Sequence, residues 1–244
     1  MRKIFLGILV LVTIFALCGI TVAQKESFEK EKPKDSDIQK IEFIHWKKDF
    51  AKSDKAREPK PPSCYQFLTP TGVRWGILPV SYVINPTNPQ NLPQGFITTA
   101  VFNAAETWDN STTKELMKNT YAIDNTATYG VYDHKNAIAF GNYRATGVIA
   151  VTSIWYSKAS GRILEFDMMF DTDFAWGDAS GGNSEVMDLQ NIATHELGHG
   201  VGLGDIYNTS CSEVTMYGYS TEGETTKRTL EAADITGLQK LYGI

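Results

Sequence analysis

Residues 194–205 read THELGHGVGLGD. His195 and His199 are four residues apart, so on a helix they stand on one face, one turn from each other. Two imidazoles so placed reach one zinc ion at roughly 2 Å. Glu196 sits beside them, where a carboxylate acts on water at the metal rather than ligating it. The five-residue pattern fixes only three positions, so alone it also fits a surface helix with two ordinary histidines.

The residues that follow narrow the choice. Gly202 lies three after His199, and glycine accepts the positive backbone angles that end a helix sharply. The chain then turns back and brings Asp205 toward the same metal. A carboxylate oxygen is an acceptable zinc ligand, and three protein ligands leave the fourth position open, as in catalytic sites. Asp205 adds a negative charge that a histidine would not, which weakens the metal as a Lewis acid and shifts activity toward neutral or alkaline pH.

Around this stretch the chain reads as a mixed fold. A helix is expected over 186–201. Upstream, 77–85 (ILPVSYVIN) reads as a strand closed by NPTNP. Positions 94–109 carry apolar residues at the spacing of a helix with one buried face, from Phe96 to Trp108. Strand-like runs follow at 137–140, 148–156 and 163–170. A last helix is expected with Thr229 as N-cap, Glu231 and Asp234 in its first turn and Gly243 at its end. Strands interleaved with helices exclude all-α and all-β architectures.

The 244 residues carry a net charge of −5, too mild to point to nucleic acid. The charge is unevenly spread. Arg2 and Lys3 precede an uncharged apolar run from 4 to 23, the layout of a secretory signal or, uncleaved, a membrane anchor. Residues 24–63 hold 11 Lys/Arg and 9 Asp/Glu, too charged for a core of their own. Within them, Ile38, Ile41, Phe43, Ile44, Trp46 and Phe50 would give a short helix an apolar stripe. The expected role is a charged linker that spaces the domain from a membrane; the other reading is a short propeptide helix docked on the domain. His45 in this segment is expected to be solvated. Residues 64–244 are acidic, with a net charge of −9, and long enough for one domain.

Four stretches carry a resemblance. HELGHGVGLGD is similar to the extended zinc signature of metzincin peptidases, with Asp in place of the last His, as in the snapalysin group. VTMYGY, with Met216 eleven residues after Asp205, resembles the methionine turn of that clan, its Met-Tyr pair being most like the matrixins. TLEAADITGLQKLYG is similar to the closing helix of matrixin catalytic domains, and ILEFDMMFDTDFAW to a stretch of prokaryotic matrixin-like proteins. The resemblance spans roughly residues 70–243.

It implies an α/β fold with a twisted, mostly parallel five-stranded sheet and three helices. It also implies an antiparallel edge strand, matched best by 148–156, that holds a peptide substrate by β-pairing. The implied activity is that of an exported zinc-dependent endopeptidase acting on proteins or peptides. His195, His199 and Asp205 would bind Zn2+, Glu196 would be the general base, and Met216 would support the site from below. The protein is expected to be a monomer, secreted or tethered to the outer face of the membrane by its N-terminus alone. The competing expectation is a non-catalytic envelope protein that keeps the fold, against which the intact Glu196 speaks.

One element of the matrixins is missing, the Pro-Arg-Cys-Gly switch of their propeptides; Cys64 in PPSCYQF lacks those neighbours. Once Cys18 leaves with the signal, Cys64 and Cys211 remain, and an isolated pair in an exported protein is more often a disulfide than two thiols. Such a bridge would brace the loop carrying Asp205. The resemblance also implies calcium, which matrixins commonly bind, and a second, structural zinc, which they often have. Asp167, Asp171, Asp173 and Asp178 are candidates for Ca2+, although a solvated acidic face is the plainer reading. His134 without a neighbouring histidine reads as a surface residue, and Tyr217 or Tyr219 stands where it could face the metal.

Overall fold

The structure, a computed structural model, describes residues 37–50 and 63–244. The signal or anchor at 1–23, with Cys18, lies outside the described residues, as does most of the charged segment around 38–50. The strands are β1 (Ile38–Lys47), β2 (Gln66–Phe67), β3 (Arg74–Trp75), β4 (Val83–Ile84), β5 (Ala122–Ile123), β6 (Ala137–Gly141), β7 (Val148–Ser157), β8 (Arg162–Asp171), β9 (Trp176–Gly177), β10 (Met187–Asp188), β11 (Leu203–Gly204) and β12 (Tyr219–Ser220). The helices are α1 (Gln94–Asp109), α2 (Leu189–Gly200) and α3 (Ala232–Tyr242). Among the described residues no helix is long and apolar enough to cross a membrane.

The principal sheet runs β12-β1-β7-β8-β6-β4-β5, with β3 alongside β8. Its β8-β6-β4-β5 part and the β3 pairing are parallel, whereas β7 runs antiparallel to both β8 and β1. This is the expected α/β architecture with three helices. The sheet has eight strands rather than five, because short pairings extend it at both ends and β1 joins it.

β7 is buried along almost its whole length, which its Val, Ile, Thr and Trp content suits. It was expected to be an edge strand, and it is not one, because β1 covers that edge over nine registered positions from Ile38↔Ser157 to Trp46↔Val148. Residues 38–47 are thus a strand, not the expected helix. Their apolar residues suit either period over so short a run, and the free hydrogen-bonding edge of β7 decides between them.

Two other elements differ from expectation. In 77–85 only Val83–Ile84 joins the ladder; Pro79 has no N–H to give, and Val80 makes an isolated bridge to Met117. The N-cap of α3 is Glu231 rather than Thr229, with the Asp234 carboxylate accepting the Glu231 N–H at 3.0 Å.

α1 packs on α2, burying Ile97, Val101, Ala104 and Trp108. Trp108 fixes the pair, since its Nε1 donates to the Thr194 carbonyl at 2.8 Å. Truncating a fully buried tryptophan costs about 3–5 kcal/mol, so α2 is held firmly where its histidines must be accurate.

Candidate metal centre

α2 begins at Asp188, whose side chain caps the helix by accepting the Asn191 N–H at 2.8 Å. Its carboxylate also accepts the Ala179 N–H and pairs with Arg228. One turn further on, His195, Glu196 and His199 are completely buried. The helix ends at Gly200, and Gly202 turns the chain with φ +110°. A Cβ at Gly202 would stand 2.6 Å from the Val73 carbonyl oxygen, so both the angle and the close approach require glycine.

The turn completes the site. Leu203 offers its carbonyl to His199 Nδ1 at 2.8 Å, and Thr215 offers its carbonyl to His195 Nδ1 at 2.7 Å. With each Nδ1–H donated to backbone, each Nε2 presents a lone pair. Both Nε2 atoms face Asp205 Oδ1, at 3.2 Å from His195 and 3.5 Å from His199. All three atoms are buried without a hydrogen-bond partner. Three acceptors meeting in a dry pocket repel one another unless a metal ion or a proton lies between them.

The spacing fits such a cation. Two ligands at zinc distances on a tetrahedron stand about 3.3 Å apart, close to both separations. Burial opposes charge on His199 and on Asp205. Their mutual attraction outweighs it, raising the His199 imidazole and holding the Asp205 carboxyl well below the usual range. The N2O donor set suits zinc.

Glu196 lies against this group with both oxygens occupied. Thr152 Oγ1 of β7 donates to Oε2 at 2.6 Å, and His45 Nδ1 of β1 meets Oε1 at 3.1 Å. Burial pushes the His45 imidazole down to about 4, with His195 adding to the effect, so the ring is neutral. Its Nδ1–H donates to the carboxylate and its Nε2 accepts from Ser220 Oγ at 3.0 Å. His45 was expected to be solvated; it is 1 % exposed, because it is on the face of β1 that meets α2. The neighbouring Phe43 ring stacks on His199 at 4.2 Å and 17°.

The methionine turn lies beneath α2. Met216 is fully buried, and a Cβ on Gly198 would stand 2.2 Å from its sulfur. Asp234 holds the turn by accepting the Thr215 and Met216 N–H groups at 2.9 and 3.2 Å. The acid of the closing helix thus reaches His195 through Thr215. Cys64 and Cys211 form a disulfide with their Cα atoms 5.6 Å apart, which ties the loop between Asp205 and Met216 to the start of the domain.

Tyr217 and Tyr219 do not face the ligands; they pack with Cys211, Ile206 and Val214. The residue that does is Tyr207, unnoticed in the sequence, whose hydroxyl donates to Asp205 Oδ2 at 2.8 Å. Its position two after Asp205 was the available signal, as a threonine within a mostly apolar strand was for Thr152. The expected acidic face is solvated only in part, since Asp173 and Asp178 are exposed and the other two aspartates are not. Asp167 and Asp171 are buried and accept backbone N–H groups, Asp173 accepts from Asn142, and Asp178 pairs with Arg228. Among the described residues the two groups that could hold a metal, His195–His199–Asp205 and His45–His195–Glu196, are both here. His134 is exposed, its ring against Tyr132.

Comparison with known proteins agrees with this geometry. The matrixin family model matches residues 74–243. The chain is 39% identical to human (Homo sapiens) matrilysin over 88 residues, 36% of this chain and 31% of that protein. It is 30% identical to stromelysin-1 of Equus caballus over 187 residues, 75% of this chain and 36% of that protein. It is also 28% identical to the hatching enzyme of Paracentrotus lividus over 185 residues, 75% of this chain and 28% of that protein. The chain spans about a third of the length of these relatives. The family match covers the metal-site helix, the methionine turn and the closing helix alike, and the chain belongs to the matrixin family.

Proposed function

We propose that this chain is a zinc-dependent endopeptidase, with His195, His199 and Asp205 as metal ligands and Glu196 as general base. The observation that carries the reading is the convergence of three buried, unpartnered ligand atoms beside a carboxylate. Bound there, zinc would supply Lewis acidity to a water molecule and to the scissile carbonyl. Thr152 orients Glu196 by holding Oε2. Oε1, once free of His45, takes a proton from the water and returns it to the leaving amine. β7 offers its backbone to an extended peptide. No side chain is needed as a nucleophile.

Within the family, the aspartate ligand and a prokaryotic, snapalysin-like character belong to the proposal, with neutral to alkaline activity following from the charge of Asp205. So do a catalytic domain at 64–244, a supporting role for Met216, and export directed by the basic and apolar residues at 2–23. The substrates are proteins or peptides.

The zinc-loaded chain, its His195→Ala variant and its Glu196→Gln variant are to be compared for metal content and for cleavage of an unbiased peptide library. One zinc per chain is expected, reduced in His195→Ala. Chelator-sensitive cleavage should vanish in Glu196→Gln while the zinc stays. A chain that takes up no zinc, or cleavage that survives in Glu196→Gln, would sink the reading.

A further inference from the structure

β1 supplies no residue to the proposed hydrolysis, yet it contacts β7, β12 and the histidines and glutamate of α2. It lies between β7, with which it pairs antiparallel, and β12, with which it pairs parallel at Trp46↔Tyr219 and Lys47↔Ser220. That slot, beside α2 and open to β-pairing on both sides, is where an extended substrate would have to lie.

The strand is seated along its length. At its start the Asp37 side chain accepts the Ala159 N–H at 2.7 Å and the Ser157 hydroxyl at 2.5 Å. In the middle, the Lys40 ammonium lies 5.0 Å from the Trp155 ring, and Glu42 accepts from the Tyr129 hydroxyl at 2.6 Å. At its end Lys47 pairs with Glu222 at 2.7 Å.

Between these anchors the strand blocks chemistry in two ways. His45 takes Glu196 Oε1 while Thr152 holds Oε2, so both carboxylate oxygens are already hydrogen-bonded and the imidazole stands where a water would meet Oε1. The rings of Phe43 and His45 stand against the imidazoles of His199 and His195, at 4.2 and 3.9 Å between centroids. Aromatic side chains, not a scissile carbonyl, therefore fill the space in front of the ligands, which keeps the strand from being cut. A thiol plays no part, because Cys64 is in the disulfide.

We propose that residues 38–47 are an intramolecular inhibitor: a strand lodged in the substrate cleft, with His45 on the general base and Phe43 over the metal ligands. The proposal rests on the zinc-peptidase reading for its consequence, not for its geometry. The protein as exported is latent, and withdrawal of this strand switches it on.

The test uses the full zinc-loaded chain and its Phe43→Ala/His45→Ala variant. Cleavage of a quenched peptide library is measured alongside fluorescence anisotropy of a labelled synthetic peptide spanning residues 37–50. The variant should cut about tenfold faster or more, since two contacts that hold the tethered strand are gone. The labelled peptide should bind the variant and slow its cleavage, while binding the wild type far more weakly because the slot is filled. A peptide carrying the same two substitutions should do neither. Equal cleavage by wild type and variant, or equal binding of the peptide to both, would overturn the inhibitor and leave the peptidase intact. If no chain cuts anything, the peptidase reading falls, and the anisotropy still decides whether the slot takes this strand.

Discussion

The Tyr207 hydroxyl donates to Asp205 Oδ2 at 2.8 Å, which leaves Oδ1 of the same carboxylate to face both imidazoles. An outer hydrogen bond of this kind fixes a ligand's orientation, and its loss costs about 10- to 100-fold in metal affinity. Tyr207→Phe should therefore weaken zinc binding by about tenfold, read by competition with a chromogenic chelator. Asp205→Ala should weaken it further. Unchanged affinity in Tyr207→Phe would mean that Asp205 is positioned by its loop alone.

Two glycines beside the site should respond differently to alanine. At Gly198 the new methyl meets the Met216 sulfur and, at 2.7 Å, the Trp108 ring, which are side chains. At Gly202 it meets the Val73 carbonyl oxygen, on a backbone already at φ +110°. Overpacking costs about 1–3 kcal/mol and a positive-φ side chain adds a comparable amount. Gly202→Ala should thus lower the calorimetric melting temperature more than Gly198→Ala does, and the reverse order would refute this.

The Cys64–Cys211 bridge closes a loop of 147 residues in sequence. Removing a bridge of that span costs about 2–5 kcal/mol. The Cys64→Ser/Cys211→Ser variant should show a lower urea midpoint and weaker zinc binding, because Asp205 lies in the braced loop. A midpoint unmoved by the double substitution would show that β2 and β11, paired at Phe67↔Leu203, suffice.

Glu165 provides a dependence on pH away from the metal. It is fully buried, accepts the Asp133 and His134 N–H groups, and burial pushes its carboxyl up to about 7. An acid raised on folding makes the folded state bind more protons than the unfolded one. Its contribution is therefore fully present below about pH 4.5 and is lost as pH rises through 7. Glu165→Gln keeps a side-chain acceptor without the charge. It should match wild type at pH 4.5 and melt a few degrees higher at pH 8, on the scale of roughly 2–4 °C per kcal/mol. A gap that does not change with pH would contradict this.

The convergence of His195, His199 and Asp205 was legible because each has a local cause: helical spacing for the histidines and a glycine turn for the aspartate, with a conspicuous methionine nearby. α1 was legible to the residue at both ends, since its apolar face is unbroken. What was not legible depends on pairing across the chain. Nothing near 38–47 in sequence reveals that β7 lies waiting far along the chain to pair at Ile38↔Ser157 and Ile41↔Ile154, and a charged neighbourhood made His45 look solvated. Tyr207 and Thr152 gain their roles only when folding brings a carboxylate to each. In 77–85 the β-branched composition pointed to a long strand, and the missing N–H of Pro79 left only two ladder residues.

β1 also caps a β7 edge that is ten residues long and largely apolar. Once the strand is withdrawn, that edge is a row of unsatisfied N–H and C=O groups, the usual template for intermolecular pairing. The β1 of a second copy carries the same residues that seat the strand here, so pairing with it would give a strand-exchanged dimer. Withdrawal of β1 would therefore pull in two directions: the edge it frees for a peptide is also open to another copy.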